Sequence, residues 1–122
     1  MPAITEGARA GNFVVSEANG TLSRASITVA SGAGILQPGT VLARLTATGK
    51  YVAYDNVGSD GSEIAAAVLY AGVDATSADK AAVAIVRLAE VEAASLVWAN
   101  GLITADKTAA YADLAVSHVI TR

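Results

Sequence analysis

Apolar and polar positions alternate along this chain in short runs, and the run that organises the rest is Ile35 to Asp55. Two apolar stretches meet there across Thr48-Gly49-Lys50, after an opening turn at Gln37-Pro38-Gly39, so the pattern predicts a β-hairpin. Upstream, Phe13 to Glu17 reads as a short strand and Asn19-Gly20 as a two-residue turn leading into a second strand, Thr21 to Ala30. Ile27 and Val29 alternate there with Ser26 and Thr28, giving one apolar and one hydroxylated face, before Ser31 to Gly34 breaks the strand.

Downstream the pattern is less decisive. Residues 56–63 form a polar loop. Glu63 to Tyr70 is rich in alanine with Ser62 as a possible cap, which favours a helix, yet only about two turns fit before Gly72 and the β-branched residues also suit a buried strand. Ala75 to Asp79 is a loop and Val83 to Leu88 an apolar strand whose alternation slips near Ala89, predicting a bulge or bend. Thr104 is placed to cap a helix from Ala105 to Ala115, with Ala110, Tyr111 and Leu114 on one side and Asp106 and Asp113 on the other. Val119 to Arg122 reads as a closing strand.

Composition adds one physical constraint. The 122 residues are 53% hydrophobic and only 5% aromatic, so one core is built from many small side chains and the remaining apolar surface calls for copies of the chain to cover it. Eight Lys and Arg against eleven Asp and Glu, with the basic residues dispersed, argue against direct nucleic-acid binding. There is no cysteine, which removes disulfides and thiolate chemistry, and no apolar run reaches the roughly 18 residues that span a bilayer. The opening residues lack the basic and apolar regions of a secretory leader, so a soluble, unprocessed chain is expected.

Candidate chemistry is sparse. Asp55, Asp60 and Glu63 invite a calcium reading, but their spacing does not match the alternating ligand loop, and a solvated turn fits better. Glu90 and Glu92 share a face without a nearby cation signal and read as a solvated edge. His118 is the sole histidine, no nucleophile elbow accompanies it, and Gly49-Lys50 is followed by Tyr51 rather than the residue a phosphate loop needs. Trp98 reads as a packing anchor. No catalytic residue, metal site or cofactor is expected, and the chain reads as a non-enzyme.

Three blocks carry a resemblance: Phe13 to Arg24; Gly39 to Leu42 with Thr48 to Asp55; and Asp60 to Glu63 leading into Ala67 to Leu69. With Val86-Arg87, Ala89 to Val91, Leu96 to Trp98 and the closing Ile120-x-Arg122, their order resembles the lambda-type head decoration protein D family of bacteriophages. The resemblance implies a mainly β protomer of the β-clip or β-tulip kind with one C-terminal helix, and it turns the ambiguous stretch from Ile64 to Ala75 into a strand. It implies a homotrimer on the outer surface of the expanded head, at three-fold and quasi-three-fold positions. There it would bind the major capsid protein of a tailed phage and resist internal DNA pressure, after assembly in the host cytoplasm.

Residues 1–12 are small and aperiodic, and residues 1–20 are expected to form an extended capsid-binding arm ahead of a single β-rich domain, 21–122. A terminal strand with an apolar anchor suits strand addition to a partner, so the expected capsid contacts are Ile4, Phe13, Val14, Val15 and Glu17. The plainer reading folds Phe13 to Ala30 onto its own domain as a hairpin. The rival function is a trimeric β-rich adaptor or receptor-binding module recognising a cell-surface or small-molecule partner, which needs an exposed pocket with convergent polar groups.

Overall fold

The computed structural model describes residues 10–99 and 102–122. The strands in chain order are β1 (Val14–Glu17), β2 (Arg24–Val29), β3 (Gly34–Leu36), β4 (Val41–Arg44), β5 (Tyr51–Ala53), β6 (Ala65–Leu69), β7 (Val73–Ala75), β8 (Lys80–Ile85), β9 (Ala89–Val91) and β10 (Val119–Thr121), with helix α1 (Thr104–Val116) before the last. Five of them close a barrel in the order β2-β5-β4-β6-β8. Beside it lie a three-stranded sheet, β1-β9-β10, and a two-stranded one, β3-β7. The protomer is mainly β with a C-terminal helix, as expected.

Strands β4 and β6 are buried on both faces over most of their length, and the period-two alternation of the barrel strands divides their buried side chains between two cores. Leu42, Ala67, Leu69 and Ala84 join Ile27, Val29, Leu36 and Ala75 in one. Val41, Val68 and Ile85 point the other way, to meet Phe13, Val91, Leu114 and Val119 from the sheet and helix. This double burial accounts for the long apolar runs. It also settles the alanine-rich stretch: β6 lies between β4 and β8, where small side chains let both neighbours approach, and ladder bonds on each side override helix propensity. Ser62 caps no helix; its hydroxyl donates to Asp60 at 2.6 Å.

The hairpin is real but shorter than expected. β4 and β5 pair from Leu42↔Ala53 to Arg44↔Tyr51, and Gly49, at φ +72°, turns the chain between them. Ile35 and Leu36 are not part of it. The chain swings at Gly39, at φ +90°, and β3 pairs instead with β7.

A second difference lies at Asn19-Gly20. β1 and β2 do not form a hairpin: β1 pairs with β9, while β2 runs along β8 from Arg24↔Ile85 to Val29↔Lys80. The reason is Ser23, fully buried, whose hydroxyl accepts from the Ala18 N–H at 2.9 Å and donates to the Leu88 carbonyl at 2.8 Å. Those two bonds fix a corner between sheets. Ser23→Ala removes a buried partner from both groups and is expected to lower stability by about 1–2 kcal/mol, read from denaturant midpoints.

The slip expected near Ala89 is a sharp break at Leu88, at φ +52°, separating β8 from β9. Helix α1 begins one residue earlier than expected, with Ile103 rather than Thr104 at the cap position; the Asp106 carboxylate accepts the Ile103 N–H at 3.1 Å. Ala110 and Leu114 are buried as the pattern implied. Asp113 is not simply solvated: it accepts the Ala65 N–H at 3.1 Å and ties the helix to the start of β6.

Candidate docking surfaces

The sheet β1-β9-β10 brings the two ends of the described chain to one place. Val14 and Thr121 both stand in register with Val91, antiparallel on one side and parallel on the other. Just beyond, the Glu92 N–H donates to the Phe13 carbonyl at 2.7 Å and the Ala93 N–H to the Arg122 carbonyl at 3.0 Å. The segment ahead of Phe13 and the residue Arg122 therefore leave the same end of one sheet.

That end is anchored on several sides. The Gly11 N–H donates to the Tyr70 carbonyl at 3.0 Å, and a Cβ at Gly11 would stand 2.7 Å from the Tyr70 ring, so glycine lets the chain pass flat against it. The Tyr70 ring also carries the Arg24 guanidinium, 4.0 Å from its centroid, which pairs with Glu17 at 2.7 Å. The Arg24 hydrogen bond holds the Glu17 carboxyl below its ordinary value. On the solvent side of the sheet, the Ser16 hydroxyl donates to Glu90 at 2.7 Å and Arg122 reaches the same carboxylate at 2.6 Å. Ser16 first, then Arg122, lower the Glu90 pKa.

Against this geometry, the five expected capsid contacts separate. Phe13 is fully buried in the core shared by sheet and helix, and a side chain held there cannot also anchor a partner without opening that core. Val14 is half-buried and packs on the same core, and Glu17 is engaged by Arg24. Val15, 54% exposed at an irregularity in the β1–β9 register, offers a free apolar side chain. Ile4 lies outside the described residues. Residues 13–17 thus fold onto their own domain, as the plainer reading had it, though paired with β9 rather than with β2.

Residues that the pattern did not single out also form exposed apolar ground. Leu22, Leu88 and Val116 are exposed around the corner that Ser23 holds, Leu88 meeting Ser117 through a backbone bond of 3.2 Å. Val57 and Ile103 flank the Asn56 to Asp106 hydrogen bond of 2.7 Å. Neither group could be read from periodicity, because each gathers loop residues far apart in sequence.

A shallow groove of about 620 Å³ runs past Ala30, Ala53, Asp60, Ser62 and Ala99. Its polar groups are engaged with one another: Asp60 accepts from the Ser62 N–H and hydroxyl, and Asp55 accepts from the Val57 N–H. Glu63 likewise accepts from the Gly61 N–H, so Asp55, Asp60 and Glu63 each close a turn of their own loop. Trp98 packs edge-on against Tyr54 and Tyr111, with ring centroids at 6.3 and 5.6 Å. It anchors the segment before α1.

No curated protein matches the chain closely enough to count as a relative. A family model described as bacteriophage lambda head decoration protein D matches residues 3–119, a span that takes in the strands from β1 to β9, the helix and the first residue of β10. The match covers nearly all of the sequence, and the fold agrees with the mainly β protomer that the motifs implied; the chain belongs to the bacteriophage lambda head decoration protein D family, and is a structural protein of the phage capsid that decorates the head.

Proposed function

We propose that this chain works as a homotrimeric cement. It would sit on the outer surface of the expanded head at three-fold and quasi-three-fold sites, grip the major capsid protein, and hold the shell against internal DNA pressure. The family match across residues 3–119 carries this reading. The anchored sheet end supports its mechanical part, because a grip resists load only if its root is fixed. Here the root is fixed by Gly11 against Tyr70 and by Phe13 in the core.

In this reading the arm is the sequence ahead of Phe13, including Ile4, with Val15 continuing its apolar contact on the exposed side of β1. Each trimer presents three arms, so modest contacts multiply by avidity once one has engaged. No bond is made or broken.

Removal of residues 1–10 tests it, since the cut spares Gly11 and Phe13. The truncated protein is expected to keep its melting midpoint and its trimer mass, yet to lose occupancy on expanded heads by about tenfold or more. Full-length protein is expected to load expanded heads and not unexpanded ones. Unchanged occupancy after truncation would remove the arm from the mechanism, and equal loading of both head forms would remove the preference for the expanded shell.

A further inference from the structure

The corner at Asn19-Gly20 holds a chemically exposed pair. Asn19 and Gly20 are both exposed, Gly20 stands at φ +65°, and a Cβ placed on it would meet nothing within 4 Å. Among the described residues the Asn19 side-chain amide has no hydrogen-bond partner, and the Gly20 N–H donates to none; the Asn19 carbonyl receives only a long bond of 3.5 Å from the Leu22 N–H. The turn joins strands of different sheets, so no β-ladder restrains it.

We propose that Asn19 is a site of spontaneous deamidation and isomerisation, with water as the only co-reactant. The Gly20 backbone nitrogen gives up its proton and attacks Asn19 Cγ, closing a five-membered succinimide. The Cγ–Nδ2 bond breaks and Nδ2 departs as ammonia, taking up a proton in leaving. Water then adds to one of the two ring carbonyls and a ring C–N bond opens. Opening on one side gives aspartate; opening on the other gives isoaspartate, in which the chain runs through the former side chain. Nothing is oxidised or reduced.

The other described asparagines lack this combination. Asn56 is held through Nδ2 by Asp106 at 2.7 Å and is followed by branched Val57, while Asn12 precedes Phe13, which the core fixes. Reaction at Asn19 places a new carboxylate two residues beyond Glu17, and the isoaspartyl form adds a backbone methylene to the corner that joins β1 to the barrel.

Full-length protein incubated at body temperature and mildly alkaline pH, then mapped by peptide mass, tests the assignment. The peptide containing Asn19 is expected to gain about one dalton and to accept methyl groups from an isoaspartyl methyltransferase, faster as pH rises, while the Asn12 and Asn56 sites stay unchanged. Asn19→Gln is expected to abolish the change at that position without moving the melting midpoint. An Asn19 peptide that keeps its mass while Asn12, Asn56 or Asn100 reacts would overturn the proposal, as would methyl acceptance that persists at this position in Asn19→Gln.

Discussion

Phe13→Ala is expected to destabilise the folded protein by about 3–5 kcal/mol, the usual loss when a large buried aromatic side chain is truncated. The ring is fully buried and sits in one core with Val68, Ile85, Val91, Leu114 and Val119, so its removal leaves a cavity walled by the barrel, the sheet and the helix together. These elements cannot all close on it, because each is held elsewhere: β9 by β1 and β10, α1 by the Asp113 bond to β6. For a chain of this size the loss corresponds to a fall in melting midpoint of roughly ten degrees or more. Val15→Ser, two residues on and exposed, is expected to stay within about 0.5 kcal/mol of the parent.

The pair of variants also separates two roles for the front of the chain. If Phe13 anchored a capsid partner, its loss would spare the melting midpoint and reduce head occupancy. If it is a core residue that fixes the root of the arm, the midpoint falls and the fraction that remains folded still loads. The buried ring favours the second result.

Much of this fold was legible because short-range chemistry decides it. The alternation of Ile27 and Val29 with Ser26 and Thr28 marked β2, Gly49 marked the β4–β5 turn, and Ala110 with Leu114 marked the buried face of α1. What could not be read was the choice of partners. Phe13 to Glu17 has the same strand character whether its edge is met by β2, by β9 or by another protein, and only the distant residues Ala89 to Val91 decide it. Ser23 is in phase with Ile27 and Val29, so alternation alone puts it on the apolar side of β2, but the partner its buried hydroxyl donates to is Leu88, 65 residues away. The alanines of β6 favoured helix locally, and their strand state rests on β4 and β8 arriving from both sides.

Which front residues stay exposed was not legible in the sequence. The front of the chain stood out as an apolar segment, but pattern could not distinguish the side chain that enters the core, Phe13, from the one left outside, Val15. Adjacent strand residues ordinarily face opposite sides, and the register irregularity between Val14 and Ser16 shifts that rule at the residue concerned.

The loop from Asn56 to Glu63 supplies the second large expected effect, at a residue that sequence would class as an ordinary turn glycine. Gly61→Ala is expected to cost about 3 kcal/mol or more, combining strain at a positive φ with a collision against backbone. Gly61 stands at φ +108°, and a Cβ there would run into the Arg44 carbonyl oxygen and lie 2.9 Å from the Thr46 nitrogen. Neither contact can give easily. Arg44 ends β4, and the Thr46 N–H donates to the Asp60 carbonyl at 2.9 Å, so the loop is bonded to the barrel rim at the point of collision. The flanking Asp60 and Glu63 carboxylates close their turns on Ser62 and on Gly61 itself, so a shift of the loop away from the collision must also disturb these bonds. Gly20→Ala makes the control, because Gly20 also has a positive φ but faces open space, so only the strain remains and a loss of about 1 kcal/mol is expected. Equal losses in the two variants, measured by denaturant unfolding, would show that the packed backbone around Gly61 yields and that conformation alone sets the cost.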